Sequence, residues 1–516
     1  VFDAAGNITL LPKCFLVSWL ILLLITLLLF RKQNKFWLLT LTFSAFALAS
    51  AFALFTPYLY TWDEQFHALV AKNNMANPFH PKLFQYHPEG ITIPNDQWVL
   101  SETWLHKQPF FTWLMALSLK LCGTSVFAVR LPSVVLFSIM IPVVYRIGKL
   151  LFSKKTGLIA ALFVMHSAYL LGLVSGRIGT DHNDAVFIAL ILLSFWAFFE
   201  WQHSNAKKWI YLIGLFVGLA VLTKWLVGLL VFFGWGIFVL REIYLQKKLQ
   251  PVKPILLSFS IAFLIFLPWQ IYTFIKFPEL AKQEMTYNSQ HLTQVIEEHS
   301  GGPFFHFDNI SNLYFEQTIF YILLALSLLG FVLFKPEWEK MILIFLPITI
   351  VYAFFSFAQT KMPSFTAVVI PLVLLMFAFT IDAYTALIKN KWMKIILLLL
   401  VVVTTINLLL KPGQTLDAFG FKEGTALYNN KVSNTAMLEL IRKQPVNDRK
   451  KIVFGCDWNK FAYIFWMFYT DDIAYPFYPD LNTVDDLIEQ GYEIELIDWN
   501  NSIPEKLRKD PRLKVL

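Results

Sequence analysis

Charge is scarce in this chain. Only 15% of its 516 residues are Asp, Glu, Lys or Arg, whereas 57% are hydrophobic. A soluble domain carries about 25% charged residues, so the deficit argues against a soluble globule. Cysteine is nearly missing. Cys14, Cys122 and Cys456 lie far apart, which gives neither a disulfide framework nor metal-ligand spacing. No internal repeat, low-complexity segment or nucleotide-binding motif is evident. The net charge of +8 does not make a nucleic-acid surface, because the lysines and arginines cluster in short loops between apolar segments.

Long, unalternating apolar runs fill the space that charge leaves. Leu20–Phe30 and Ile395–Leu410 are examples. Runs of this kind form helices in a bilayer, where the backbone must satisfy itself. The pattern predicts spans at 14–30, 36–57, 127–148, 157–175, 184–201, 209–223, 225–241, 254–275, 315–334, 340–357, 364–387 and 393–410. Segment 109–122 is short for the bilayer and reads as a half-inserted or interfacial helix. The expected fold is an α-helical polytopic membrane protein with about twelve spans plus juxtamembrane helices. The first apolar segment has no convincing cleavage site and reads as an anchor.

Positive charge alternates along these spans. One face carries Arg31, Lys32 and Lys35, then Arg146, Lys149, Lys154 and Lys155, then Lys207 and Lys208. Arg241, Lys247, Lys248 and Lys253 continue the series, followed by Lys335, Lys340, Lys389, Lys391 and Lys394. That face is cytoplasmic by the positive-inside rule. The other face receives the 58–126 loop, the Arg177–Asp184 turn, Lys224, the 276–314 loop, the Gln359–Pro363 turn and everything after 410. This topology places the N-terminus outside. After Lys411-Pro412-Gly413 the composition turns polar, with apolar runs at Lys451–Phe454 and Tyr492–Ile497 and an amphipathic stretch at Val484–Gln490. A small C-terminal α/β extracytoplasmic domain is expected there, with no catalytic cluster of its own. The division is then 1–35 (an extra N-terminal span), 36–410 (a transmembrane domain) and 411–516.

The polar residues that remain are concentrated at membrane edges. Asp63 and Glu64 adjoin where a span meets a polar loop, and such a carboxylate can accept a proton from a hydroxyl. It can equally cap a short helix. Lys107, just before Pro109, lies at headgroup level, where it can meet a phosphate or simply snorkel. Arg177, Asp181, His182 and Asp184 fall within eight residues, too many ionisable groups for a plain turn at a membrane edge. Lys224 sits between two apolar runs and needs a partner. His299, followed by Gly301-Gly302-Pro303, is a metal ligand or a hydrogen-bonded loop histidine. Lys361, in Thr360-Lys361-Met362-Pro363, is again at phosphate level.

In their order and sidedness these motifs resemble the glycosyltransferase C superfamily. The likeness is to bacterial lipid A aminoarabinose transferases and the related protein O-mannosyltransferases. It rests on Asp63-Glu64, Lys107-Gln108-Pro109, Arg130-Leu131-Pro132, Thr223-Lys224, His299–Phe305 and Thr360-Lys361-Met362-Pro363, and covers roughly 55–410. It implies an inverting transferase, hexosyl or pentosyl, that uses a polyprenyl-phosphate-linked sugar. The acceptor would be lipid A, another glycolipid, a glycan or a protein. Asp63 would be the base, and Lys107, Arg177, Lys224 and Lys361 would bind the donor phosphate. Glu64 and one of Asp181 or Asp184 would orient sugar or cations. The sequence departs from the resemblance in three places. Gln108 replaces a proline, the Arg177–Asp184 turn carries extra residues, and His106 stands where the aminoarabinose transferases have a metal-holding glutamate. A His106–His299 pair is chemically able to hold zinc, although the chemistry demands no metal. The expected place is a bacterial inner membrane with the site facing the periplasm. A lipid or sugar flippase is the alternative, but such carriers show paired repeats and midplane charges.

Overall fold

The computed structural model describes residues 10–91, 98–247, 249–334, 338–390, 392–393, 401, 404–405, 409, 426–444, 450–458 and 460–516. Helices α1 (Leu10–Arg31) and α2 (Trp37–Ala53) pair side by side and lead into α3 (Asp63–Asn74) and α4 (Phe110–Cys122). Next come α5 (Val126–Leu151), α6 (Lys154–Met165), α7 (Ala168–Val174), α8 (Asp181–Ser204) and α9 (Lys207–Lys224). Helices α10 (Leu230–Gln246), α11 (Val252–Lys276) and α12 (Pro278–Gln290) follow. The later helices Gln317–Leu333, Trp338–Phe357 and Ile370–Leu387 complete the bundle.

Among the described residues, six helical stretches are long and apolar enough to cross a membrane, and a seventh counts if α6 and α7, bent by 53°, form one span. The chain is an integral membrane protein. Each span expected before residue 390 coincides with helix, but several fall short of a full crossing. Helix α2 has 17 residues, whereas a bilayer core needs about 20. The two spans expected at 209–223 and 225–241 fall in one stretch, Lys207–Leu245. That stretch is interrupted where Gly228 lies against the backbone of Ala220 and Val221, so close that a Cβ there would sit 2.7 Å from the Val221 nitrogen. The span expected at 393–410 and the Lys411–Gly413 junction lie, single positions apart, outside the described residues.

Helices α5 and α8 pack against each other at the centre, and α8 is buried along most of its length. Residues 451–516 contain a four-stranded parallel sheet in the order β2-β1-β3-β4. Its strands are β1 (Lys451–Phe454), β2 (Ile473–Ala474), β3 (Glu493–Leu496) and β4 (Lys514–Val515). Helices Ala462–Tyr469, Leu481–Glu489 and Glu505–Arg508 connect them, as parallel pairing requires. This sheet unit shares a core with the 58–104 segment, through Phe66, Leu69, Phe84 and Trp104 on one side and Phe454, Tyr463 and Tyr475 on the other. Lys72 of α3 reaches across to donate to the carbonyls of Met467 (2.9 Å) and Phe468 (3.2 Å). The outer face of α3 is thereby covered, and its first turn is left for chemistry.

Candidate active site

Helix α3 starts abruptly. Trp62 adopts φ 82°, which turns the chain so that Asp63 and Glu64 form the first helical turn. Acids there complement the helix dipole. Adjacent helical residues diverge by about 100°, and these two go to different partners.

Glu64 points into the protein. Arg130 Nε donates to its Oε1 at 2.7 Å and Nη2 to its Oε2 at 2.9 Å. The Tyr60 amide donates to Oε2 at 2.7 Å, and His182 Nε2 lies 3.1 Å from Oε1. Arg130 also donates to the carbonyls of Ala53 (2.7 Å), Thr56 (3.1 Å) and Tyr58 (3.0 Å). Both side chains are fully buried. Burial pushes the Glu64 carboxyl up, but Arg130 overrides it and the group sits at about 2. Gly176 seals this site at φ 72°, since a Cβ there would fall 2.0 Å from the Glu64 carboxyl carbon. Glu64 thus holds a cation, Arg130, and through it clamps the end of α2 to α3.

Asp63 faces the other way. Its Oδ2 accepts the Thr180 amide at 2.7 Å. Burial pushes the carboxyl up, while Lys107, His67 and the Thr180 amide outweigh that and hold it below its ordinary value. Lys107 lines a cavity of about 140 Å³ together with His106, Asn183, Lys224, Trp225 and Trp269. Lys107, which lines the cavity, thus acts electrostatically on the carboxylate of Asp63.

The other expected cations are placed differently. Lys224 pairs with Asp184, which also accepts from the Thr180 hydroxyl, while its ammonium still lines the cavity. Lys361 is 4% exposed and donates to the carbonyls of Phe355 (3.0 Å) and Ser356 (2.7 Å), capping a helix end. Arg177 lies on the turn before α8, where burial pushes its guanidinium down to about 10 and Tyr60 opposes that. Neither Lys361 nor Arg177 lines the cavity. The two aspartates divide as well: Asp184 holds Lys224, and Asp181 Oδ1 holds His67 Nδ1 at 2.9 Å.

His106 and His299, the expected metal pair, each meet a protein partner. His106 Nδ1 faces Glu284 Oε2 at 3.3 Å, and burial together with Lys107 pushes its imidazole pKa down. The His299 carbonyl accepts the Lys361 amide at 2.9 Å. Among the described residues no three of His, Cys, Asp or Glu converge as ligands. Arg130 and His182 were named in sequence motifs but given no role, and His67 was missed altogether. An arginine in an apolar helix is a signal for the first, and the i, i+4 spacing from Asp63 is one for the last.

Comparison with known proteins gives this geometry a frame. Residues 106–272 match the family of dolichyl-phosphate-mannose-protein mannosyltransferases. No curated protein sequence matches the chain. Among solved structures, the chain is similar to ArnT from Cupriavidus metallidurans bound to undecaprenyl phosphate. The TM-score is 0.62 at 14% identity, covering 88% of each chain. The apo form of that protein gives 0.61 at 13% identity, over 89% of this chain and 92% of that one. The likeness shows a shared fold. The archaeal oligosaccharyltransferase AglB from Archaeoglobus fulgidus, in complex with an inhibitory peptide and a dolichol-phosphate, shares it more distantly. There the TM-score is 0.52 at 14% identity, over 86% of this chain and 65% of that one. The family-matched segment begins at His106 and Lys107 and ends within α11, so it includes both Lys107 and Lys224 of the cavity.

Proposed function

We propose that this protein is an inverting membrane glycosyltransferase. It moves a sugar from a polyprenyl-phosphate donor to an extracytoplasmic acceptor that is a glycolipid, a glycan or a protein. One observation carries the reading: a carboxylate, Asp63, is fixed by the Thr180 amide within the field of Lys107, and Lys107 lines a cavity together with Lys224. The shared fold and the undecaprenyl phosphate bound by ArnT support a lipid-phosphate donor.

The chemistry follows from these groups. The acceptor hydroxyl gives its proton to Asp63 as its oxygen bonds to the anomeric carbon. The bond from that carbon to the donor phosphate breaks, and polyprenyl phosphate leaves with the electron pair. Attack from the face opposite the phosphate inverts the configuration. Negative charge grows on the leaving phosphate, so Lys107 and Lys224 stabilise the transition state more than the ground state. Donor binding also tunes the base. A phosphate that shares Lys107 neutralises the charge that depresses Asp63, and the carboxylate becomes a better proton acceptor once the donor is in place. Glu64 and Arg130 keep α3 and its base in position. Asp184 holds Lys224 at the cavity wall, Asp181 holds His67 beside the base, and the charges of Lys361 and Arg177 act on the donor only at longer range. A bacterial inner membrane, with the site on its outer face, fits this donor.

The test is transfer itself. Purified protein in nanodiscs is given a panel of polyprenyl-phosphate sugars and membrane extracts as acceptors. Sugar transfer that disappears in Asp63→Asn supports the reading. Movement of the lipid across vesicles without transfer would support the flippase instead.

A further inference from the structure

The turn that enters α8 holds two consecutive non-glycine residues at positive φ, Thr180 at 70° and Asp181 at 24°. Such residues persist only where their surroundings over-determine them. Two side chains that hold this turn come from one face of α3. Asp63 Oδ2 accepts the Thr180 amide at 2.7 Å, and His67 Nδ1 lies 2.9 Å from Asp181 Oδ1. Positions four apart on a helix share a face, so Asp63 and His67 grip neighbouring residues of the same turn. The His67 and Asp181 side chains are fully buried. The His67 ring packs edge-on against Phe111, with centroids 4.7 Å apart, and Trp104, at 5.9 Å. With a carboxylate oxygen as acceptor, the donor in this contact is His67 Nδ1. Neither residue lines the cavity.

We infer that His67 is a positioning residue for the base. Through Asp181 it holds the strained Thr180–Asp181 turn, whose amide fixes one oxygen of Asp63 and leaves the other for the acceptor hydroxyl. This inference rests on the transferase reading for its effect on rate, but its structural half stands alone. A helix-borne histidine thereby sets the direction of a carboxylate one turn away without touching substrate.

Asparagine separates this role from proton carriage. The side-chain nitrogen of Asn sits where His Nδ1 sits, so it can donate to Asp181, yet it cannot take up a proton. Glutamine places its nitrogen where Nε2 sits and cannot make that bond. The expected result is that His67→Asn keeps kcat within about threefold of wild type, whereas His67→Gln and His67→Ala lose at least tenfold in kcat with donor KM little changed. Cryo-EM maps of the same variants in nanodiscs should show the Asp63–Thr180 contact retained in His67→Asn and lost in His67→Gln. Two outcomes overturn the inference. One is a His67→Gln turn indistinguishable from wild type. The other is a His67→Asn variant as slow as His67→Gln with its turn intact, which would make His67 a proton carrier. If wild-type protein transfers no sugar, the transferase reading fails, and the maps still decide whether His67 holds the turn.

Discussion

Asp63 and Glu64 leave the same helical turn in different directions, and the consequences of replacing them differ accordingly. Asp63→Asn keeps the shape but removes the proton acceptor, so transfer should fall about 100- to 10,000-fold while thermal stability stays near wild type. Turnover rates and melting curves on the same preparations check both halves. Glu64→Gln should do the reverse, leaving Arg130 buried and short of its charge partner at a cost of about 3–5 kcal/mol of stability. Its melting temperature should drop sharply whether or not donor is present. Arg130→Lys should fail similarly, because a lysine cannot span Glu64 and the carbonyls of Ala53, Thr56 and Tyr58 at once. The identity of these residues could be read from the chain, but their pairing could not. Glu64 and Arg130 are 66 positions apart, Lys224 and Asp184 are 40 apart, and His67 and Asp181 are 114 apart. A sequence shows that intramembrane charges need partners but gives no distance by which to match them. Lys361 shows the same limit, since its position after a span is equally suited to a phosphate and to the helix carbonyls that it actually caps.

At the scale of elements, the base depends on how α3 is held. The turn before α8 closes over it through Gly176, whose φ of 72° and contact with the Glu64 carboxyl leave no room for a side chain. Gly176→Ala should therefore abolish folding or transfer together, as seen by loss of a monodisperse peak in size-exclusion chromatography. On the outer side, Lys72 ties α3 to the helix Ala462–Tyr469 of the sheet unit and also pairs with Asp471 at 3.1 Å. Lys72→Met should loosen that contact, with faster amide exchange in residues 462–474 than in the rest of the sheet. The helices themselves were legible because apolar runs announce them. So were β1 and β3, whose short apolar stretches match Lys451–Phe454 and Glu493–Leu496. The breaks were less so. The 53° bend between α6 and α7 falls at His166-Ser167 inside one expected span, so hydropathy alone passes over it, whereas the interruption after Lys224 falls where two expected spans divide.

The whole molecule combines a helical bundle, a buried ion-pair hub and a sheet unit seated over α3. Its response to acid follows from the hub. The Glu64 carboxyl sits at about 2 in the folded protein, against 4.5 for an ordinary glutamate, and Asp63 is also held below its ordinary value. A depressed carboxyl contributes stability that is fully present above the unfolded value and is lost as pH falls through the folded one. Melting temperature should thus decline between pH 5 and pH 2, and the decline should be shallower in Glu64→Gln. A flat profile in wild type would remove the hub from the account of stability.

The central claim is that Asp63 and Lys107 face a lipid phosphate across one cavity. The most direct test is a cryo-EM structure of the full chain in nanodiscs with undecaprenyl phosphate added. The account predicts density for the phosphate against Lys107 in the cavity lined by Lys224 and Trp269, with Asp63 at its edge. Phosphate bound elsewhere, with that cavity empty, would contradict it.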